Sequence, residues 1–378
     1  CFYKFPGAMI TASHNPKEYN GIKMARPWQQ KNLRALPIGA DTGLEDIKNI
    51  ALTNEYEFVK KKGKIKNKDI IKDYRRHVFS FISKNKLKGL KISVDTGNAT
   101  GGKIVPLIYK GLGMKMKRIF FKIDGRFPNH QPNPVITDNI KVLMNNVRNS
   151  DSDIGIAFDG DMDRAVFVDE TGRPVSGSEA SSILIKYYLK RAKNPRESII
   201  YGSVGSKIIP DTAKLMGYRP MIGRIGHLLI KEKMNFYNSR FGCEHSGHFY
   251  FKKNFYSDSG IVASLIMLEI LAEEKKKNRK FSDIVKEFRR YEQTGEVNLK
   301  IKDKDKVIKE IENHYKKKNP KKMQKFDGVS FDFEDWWFNV RKSNNEPLLR
   351  INLEAVSNNI KNNELKNLLN YIKKLNKK

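Results

Sequence analysis

Ser152-Asp-Ile-Gly-Ile-Ala-Phe-Asp-Gly-Asp-Met-Asp-Arg-Ala-Val-Phe-Val-Asp169 is the stretch on which the fold turns. Two short runs rich in Ile, Val and Phe flank a turn that carries Asp159, Asp161 and Asp163 on alternate residues, followed at once by Arg164. Short apolar runs of this kind read as strands, so the turn joins strand to strand. In an extended or tightly looped backbone, residues at i, i+2 and i+4 point the same way, which lets three carboxylates converge. Like charges this close repel unless a cation sits among them. An all-oxygen set suits a hard ion, Mg²⁺ or Ca²⁺, rather than zinc. The D-x-D-x-D spacing also opens an EF-hand loop, but Arg164 stands where that loop needs glycine, and the flanks are strands rather than helices. Mg²⁺ on a strand-to-strand turn is the expectation.

Outward from this turn, strand, glycine loop and helix alternate. Leu90–Asp95 reads as a strand, Thr96–Gly102 as a loop, and Ile104–Leu112 as a helix ended by Gly113. A second unit runs from Ile140 through the acidic turn to a helix over Glu179–Ala192. A third starts at Ser198–Tyr201 and continues in a helix toward Leu215. Repeated βα units predict α/β domains with mostly parallel sheets. Asp69–Ile82 reads as a linking helix. After Gly295 the pattern becomes α+β: strands at Val297–Ile301, Val329–Phe333 and Leu349–Leu353 with a charged helix over Lys304–Lys318.

The chain has 378 residues, ample for several domains and a sizeable core. No run approaches the roughly 18 apolar residues of a membrane helix, so no membrane association is expected. Cys1 and Cys243 fit no metal or disulfide spacing, which points to a reducing, cytoplasmic setting. The formal charge of +31 invites a nucleic-acid reading. The lysines, however, are spread along the chain beside asparagines, as in Lys61–Lys68, and no nucleic-acid signature accompanies them. No specific nucleic-acid partner is expected, and the positive field suits phosphorylated ligands.

Four further stretches carry chemistry. Gly97–Lys103 nearly makes a phosphate-binding G-x₄-G-K loop, but Ile104 stands where the metal-binding Ser or Thr belongs, so a structural tight loop is expected. Thr11-Ala-Ser-His-Asn-Pro16 places Ser13 on a loop fixed by proline, and its hydroxyl can carry a phosphoryl group that a metal would neutralise. Ser-His-Asp hydrolysis is the rival, yet the chain has no G-x-S-x-G elbow. Cys243-Glu-His-Ser-Gly-His248 packs a carboxylate, two imidazoles and a hydroxyl into one short loop, suited to the hydroxyls of a sugar. Arg341-Lys-Ser-Asn-Asn-Glu-Pro347, followed by Arg350, offers two forked cations to a phosphate.

A serine loop, a metal loop, a sugar loop and a phosphate loop in this order resemble the α-D-phosphohexomutase superfamily, whose T-A-S-H-N-P motif is followed by Y-N-G-x-K, here Tyr19–Lys23. Asp124–Pro134, Glu244–His248, Ser257–Gly260 and the Ser343-Asn344 pair bring the likeness closest to the bacterial phosphomannomutase branch, including enzymes that also take glucose phosphates. Phosphoglucosamine mutases usually carry Ser-Gly-Thr in the phosphate loop, so Asn344 points away from them. A phosphosugar-binding protein without turnover is the alternative from another class.

The resemblance implies three similar α/β domains with mixed, mostly parallel sheets and a C-terminal α+β domain around a central cleft. The boundaries expected are 1–88, 89–195, 196–296 and 297–378. It implies that Ser13 is the phosphoserine and, through its phosphate, a ligand of Mg²⁺ beside Asp159, Asp161 and Asp163. It implies proton transfer by Lys23 and His227, with His14 and Arg164 supporting the moving phosphoryl group. Glu244, Ser246 and His248 would hold the sugar, and Arg341, Ser343, Asn344, Asn345 and Arg350 the non-reacting phosphate. A hexose 1,6-bisphosphate would serve as activator, phosphorylated hexoses as substrates, and a monomer or homodimer as the assembly. The start at Cys1, without an initiator methionine, reads as an N-terminally truncated first domain. Cys243, Trp337 and Asn345 depart from the usual glycine, arginine and threonine, and Pro27–Arg34 reads as an insertion.

Overall fold

The computed structural model of this chain describes residues 5–26, 36–39, 42–194, 196–343 and 348–377. Asn344 and Asn345 lie outside the described residues, as does the whole of the expected insertion Pro27–Arg34. Among the described residues there are four sheets.

The second and third sheets share one plan. In the second, Lys115–Ile119, Lys91–Asp95 and Ile154–Phe158 lie parallel, and Ala165–Asp169 then Pro174–Val175 complete the edge antiparallel. In the third, Arg219–Gly223, Ser198–Gly202 and Phe241–Cys243 lie parallel and Phe249–Phe251 turns back antiparallel. In both, the third parallel strand ends in a hairpin: one hairpin turn is the Asp159–Arg164 loop, the other the Glu244–His248 loop. Ile154–Phe158 and Ala165–Asp169 are buried at every position, which is why they read as unbroken apolar runs.

A helix over Gly260–Lys275, buried on nearly all sides, belongs to a core cluster that takes in residues of both sheets. A helix apolar all round has no solvated face and sits inside a protein. Ser259 starts it by accepting from Val262 N. The linking helix covers Ile71–Phe79, within the expected span. Two expected helices differ from observation. The helix expected at Ile104–Leu112 begins earlier, as Gly101–Tyr109, because Gly101 and Gly102 are helical: a Cβ on Gly102 would stand 2.0 Å from Phe121 O, a close approach that calls for glycine. The helix expected over Glu179–Ala192 starts at Gly177 behind a Ser176/Glu179 capping box and passes into a π-helix over Leu184–Leu189.

The fourth sheet is antiparallel throughout, in the order Glu292–Lys300, Leu348–Ala355, Trp336–Lys342, Val329–Asp332, Lys322–Gln324. Alternation divides its faces. Phe331, Phe338, Val340, Ile351 and Leu353 pack on helices Lys304–Lys316 and Asn358–Lys377, the latter covering the Lys-rich tail. The opposite face carries Asn339, Arg341, Arg350, Asn352 and Glu354 and turns toward the third sheet. There Glu354 Oε1 accepts from Lys207 N at 3.0 Å and Asp327 Oδ2 accepts from Ser203 Oγ at 2.8 Å.

The first sheet joins Gly7–Ile10, Ile22–Arg26 and Leu36–Pro37, all antiparallel, with a helix over Leu44–Thr53. Gly7–Ile10 is exposed along its length, and Ile10 is 75% exposed. The serine loop is the turn of its hairpin, closed by Thr11 N donating to Gly21 O. No helix among the described residues is long and apolar enough to cross a membrane.

Candidate active site

Three hairpin turns, one from each of the first three sheets, meet at one point. Gly160 lies so close to the serine loop that a Cβ there would be 2.1 Å from Ser13 O. Arg164 pairs with His248 in an isolated backbone bridge, which ties the metal loop to the sugar loop. Ser13 and Met162 both hold positive φ, 54° and 63°, a conformation uncommon for side-chain-bearing residues and often stored at functional turns.

Ser13 Oγ donates to Asp159 Oδ2 at 3.2 Å and lies 3.3 Å from His14 Nδ1. The structure therefore joins Ser13 and the acidic cluster, with a sequence separation of 146 residues between Ser13 and Asp159. Thr11, which sequence reasoning gave no role, organises the contact: its hydroxyl donates to Asp161 Oδ2 at 3.0 Å and accepts from Ser13 N at 2.8 Å. Lys23 Nζ lies 2.7 Å from Asp161 Oδ2 and 2.9 Å from Asp163 Oδ2. Burial opposes its charge, but Asp163 and Asp161 outweigh that cost and hold the ammonium pKa above the ordinary lysine value.

Arg164 Nε sits 3.2 Å from Asp159 Oδ2, and its guanidinium contacts His14 Nδ1. Burial, then the Arg164 charge, press the His14 pKa down to about 4, so its imidazole is neutral and Nδ1 can accept from Arg164. The acidic cluster remains overcharged. Burial and then the charge of Asp163 push the fully buried Asp159 well above the ordinary carboxylate range. Asp163 is held low, against burial, by His248 and Lys23.

This donor set fits a hard divalent cation. One oxygen from each of Asp159, Asp161 and Asp163 lies within 4.8 Å of the others, and Oδ1 of Asp161 and of Asp163 are buried without a hydrogen-bond partner among the described residues. Buried carboxylate oxygens left unpaired are costly, and a cation would satisfy them.

The Glu244–His248 loop leans on the Asp159–Arg164 loop. His248 Nε2 approaches Asp163 Oδ1 to 3.4 Å, its Nδ1 lies 2.9 Å from Ser246 Oγ, and its pKa is raised, despite burial, by Asp163 and Glu244. Glu244 accepts from Gly226 N at 3.1 Å and from Tyr250 OH at 2.6 Å. His227 begins the helix His227–Phe236 and lines a cavity of about 710 Å³ together with Lys23, Asp161, Asp163, Lys231 and Asp258. Lys231 and Asp258, paired at 2.9 Å, were also missed. Lys231 stands one helical turn beyond His227, and Asp258 lies within the Ser257–Gly260 motif, so both had a sequence signal.

On the polar face of the fourth sheet, Arg341 and Arg350 are directly opposed across neighbouring strands. Burial lowers the pKa of Arg341, and the charges of Glu296, Asp327 and Glu244 act to restore it. Ser343 is buried beside them, its backbone N–H donating to Leu348 O at 2.9 Å. The turn that leads into the helix Gly101–Tyr109 buttresses the Asp159–Arg164 loop: Thr100 Oγ1 donates to Gly160 O at 2.6 Å.

With this geometry in view, comparison with known proteins agrees over most of the chain. Residues 3–32, 72–172, 176–291 and 296–368 match the families described as phosphoglucomutase/phosphomannomutase alpha/beta/alpha domain I, alpha/beta/alpha domain II, alpha/beta/alpha domain III and C-terminal domain. A protein named phosphohexose mutases from Xanthomonas campestris pv. campestris is 34% identical over 350 residues, covering 92% of this chain and 75% of that one. A phosphomannomutase of Vibrio cholerae serotype O1 is 33% identical over 375 residues, 98% of this chain and 79% of its own length. A solved phosphoglucomutase/phosphomannomutase family protein from Burkholderia thailandensis superposes with a TM-score of 0.83 at 25% identity, over 97% of this chain and 76% of that one.

Proposed function

Because the chain belongs to the phosphoglucomutase/phosphomannomutase family of phosphohexose mutases, we propose that it interconverts mannose 6-phosphate and mannose 1-phosphate, with glucose phosphates as a second pair. The observation that carries this reading is Ser13 Oγ at 3.2 Å from Asp159, beside a cluster in which Oδ1 of Asp161 and Oδ1 of Asp163 are buried without a hydrogen-bond partner among the described residues.

In this scheme a phosphoryl group resident on Ser13 passes to the free hydroxyl of a hexose monophosphate. The Ser13 O–P bond breaks, a hexose O–P bond forms, and the hydroxyl proton leaves to a base. The resulting 1,6-bisphosphate turns over, and Ser13 takes back the other phosphoryl group as the steps run in reverse. The two groups named for proton transfer divide by their surroundings. Burial, then the nearby Lys231, lower the pKa of His227, which keeps its imidazole neutral and ready to accept a proton. Lys23 stays an ammonium between two aspartates and can donate or stabilise, not abstract.

Asp159, Asp161 and Asp163, with a phosphate on Ser13, would hold Mg²⁺, which when bound neutralises charge on the phosphoryl oxygens. Arg164 and the neutral His14 flank the same oxygens. Glu244, Ser246 and His248 would orient the sugar, and Arg341, Ser343 and Arg350, with Asn344 and Asn345, would anchor the non-reacting phosphate. The divisions at 88, 195 and 296 are proposed as the domain boundaries that shape this cleft.

The test is turnover of mannose 1-phosphate with Mg²⁺ and a trace of mannose 1,6-bisphosphate. Wild-type protein is expected to turn over, with Ser13→Ala at background. Turnover that survives Ser13→Ala would overturn the scheme.

A further inference from the structure

Arg341 and Arg350 face one another on adjacent antiparallel strands, an arrangement in which like charges repel. The third strand in this row supplies the remedy. Glu296, on Glu292–Lys300, reaches across Leu348–Ala355 so that its Oε2 accepts from Arg341 Nη2 at 2.5 Å, while its Oε1 lies 3.4 Å from Arg350 Nε. One carboxylate oxygen thus serves each guanidinium. The strand is bent to allow this: its register shifts between Gln293 and Glu296, and Gly295 between them holds φ +67°. A bulge of this kind re-aims the side chain that follows it.

Arg341 is 6% exposed and its Nε has no hydrogen-bond partner among the described residues, whereas the Glu296 and Arg350 side chains are 31% and 25% exposed. A buried cation with capacity left over is therefore reached through a carboxylate that solvent, or a ligand, can approach.

We propose that Glu296 is an internal counter-ion for the phosphate anchors, holding Arg341 and Arg350 in place in the empty protein and yielding them to the non-reacting phosphate of the hexose. The inference rests on the reading of those two arginines as phosphate ligands. A phosphate dianion carries more charge than the carboxylate and matches both forked cations, so it displaces Glu296, while neutral sugars do not. When the bisphosphate must turn over, the carboxylate returns to the arginines and speeds release. Glu296 is a positioning and specificity residue, without contact to the reacting phosphorus.

Calorimetry on the full chain, with inorganic phosphate and mannose 6-phosphate as probes, tests this. Glu296→Gln preserves shape and removes the competing charge, and is expected to bind both probes about three- to tenfold tighter. In turnover its KM should fall while kcat falls as well, because release is slowed. A purely structural Glu296 would give the opposite sign, since loosened arginines bind phosphate more weakly. Equal or weaker binding by a folded Glu296→Gln protein overturns the inference. Should that variant not fold, Glu296→Asp, which keeps the charge but cannot span both arginines, is expected to bind more tightly than wild type, and equal or weaker binding there overturns the inference too. Arg350→Met separates the two readings: weaker phosphate binding upholds the anchor assignment, whereas unchanged affinity removes the anchors and the role of Glu296 with them.

Discussion

The acidic loop at Asp159 and the arginine pair at Arg341 and Arg350 are opposites in charge and alike in construction. Each gathers like charges closer than they would stand in water, and in each a group of the other sign bridges two of them: Lys23 between Asp161 and Asp163, Glu296 between Arg341 and Arg350. They differ in where that group comes from. Glu296 and both arginines lie on three neighbouring strands of one sheet. Lys23 and Ser13 come from the first sheet, the aspartates from the second, and His248 from the third. The acidic centre thus exists only while three turns are pressed together, whereas the arginine centre is fixed by the register of its own strands. Charge repulsion can be held by backbone register alone or by packing between separate units, and the second arrangement is the more easily broken.

The strongest way to break this comparison is Gly160→Ala. The added Cβ would meet Ser13 O at 2.1 Å, a backbone atom that cannot swing aside, so the serine loop must move off the metal loop. A displacement of about 1 Å in a reacting group costs on the order of 10²-fold in rate. Turnover is expected to drop by at least that much, while calorimetric binding of inorganic phosphate at the arginines stays at the wild-type value. If phosphate binding fell in parallel, the arginine centre would not be self-contained.

Lys23→Met sharpens the contrast with a smaller effect. Without the ammonium, two aspartates lose their internal partner and the cluster gains net negative charge. Mg²⁺ affinity, followed by the metal-induced rise in melting temperature, should therefore increase by about tenfold even as turnover is lost. Unchanged or weakened Mg²⁺ affinity would show that Lys23 does not stand in for the cation. This outcome is distinct from the Glu296→Gln experiment, in which the ligand gained is an anion.

The same contrast governs what could be read from the chain alone. Ser13, Lys23 and the three aspartates were legible because each sits in a short run whose residue types have few structural uses together. The hairpins bearing them were legible because buried strands such as Ile154–Phe158 leave an unbroken apolar run. Glu296 was not, since a lone Glu on an alternating strand looks like any solvated position; only its register beside two arginines gives it meaning. Thr11 was hidden for a related reason, as its partner Asp161 is 150 residues away. The early start of Gly101–Tyr109 escaped because two glycines argue for a loop, and the close pass of Phe121 O that calls for a glycine there is a tertiary fact. Residues that act through local chemistry show in sequence, and those that act through register or close approach do not.

Trp337→Phe should have the smallest effect and probes the boundary between the two constructions. Trp337 Nε1 donates to Glu354 Oε1 at 2.9 Å, and that buried carboxylate also accepts from Lys207 N at 3.0 Å and from Gln293 Nε2 at 2.6 Å. Glu354 thereby stitches the fourth sheet to the third, one row of the sheet away from Asn352 and two from Arg350. Removing one of three donors to a buried carboxylate, with the other two intact, costs about 1–2 kcal/mol, which a denaturant midpoint would register. Because the arginine pair is held by Glu296 and by strand register, phosphate affinity should change by less than about twofold. A larger loss would mean that Arg341 is positioned by the third sheet as well as by its own, and the arginine centre would then be assembled as the acidic one is, from parts that must first be brought together.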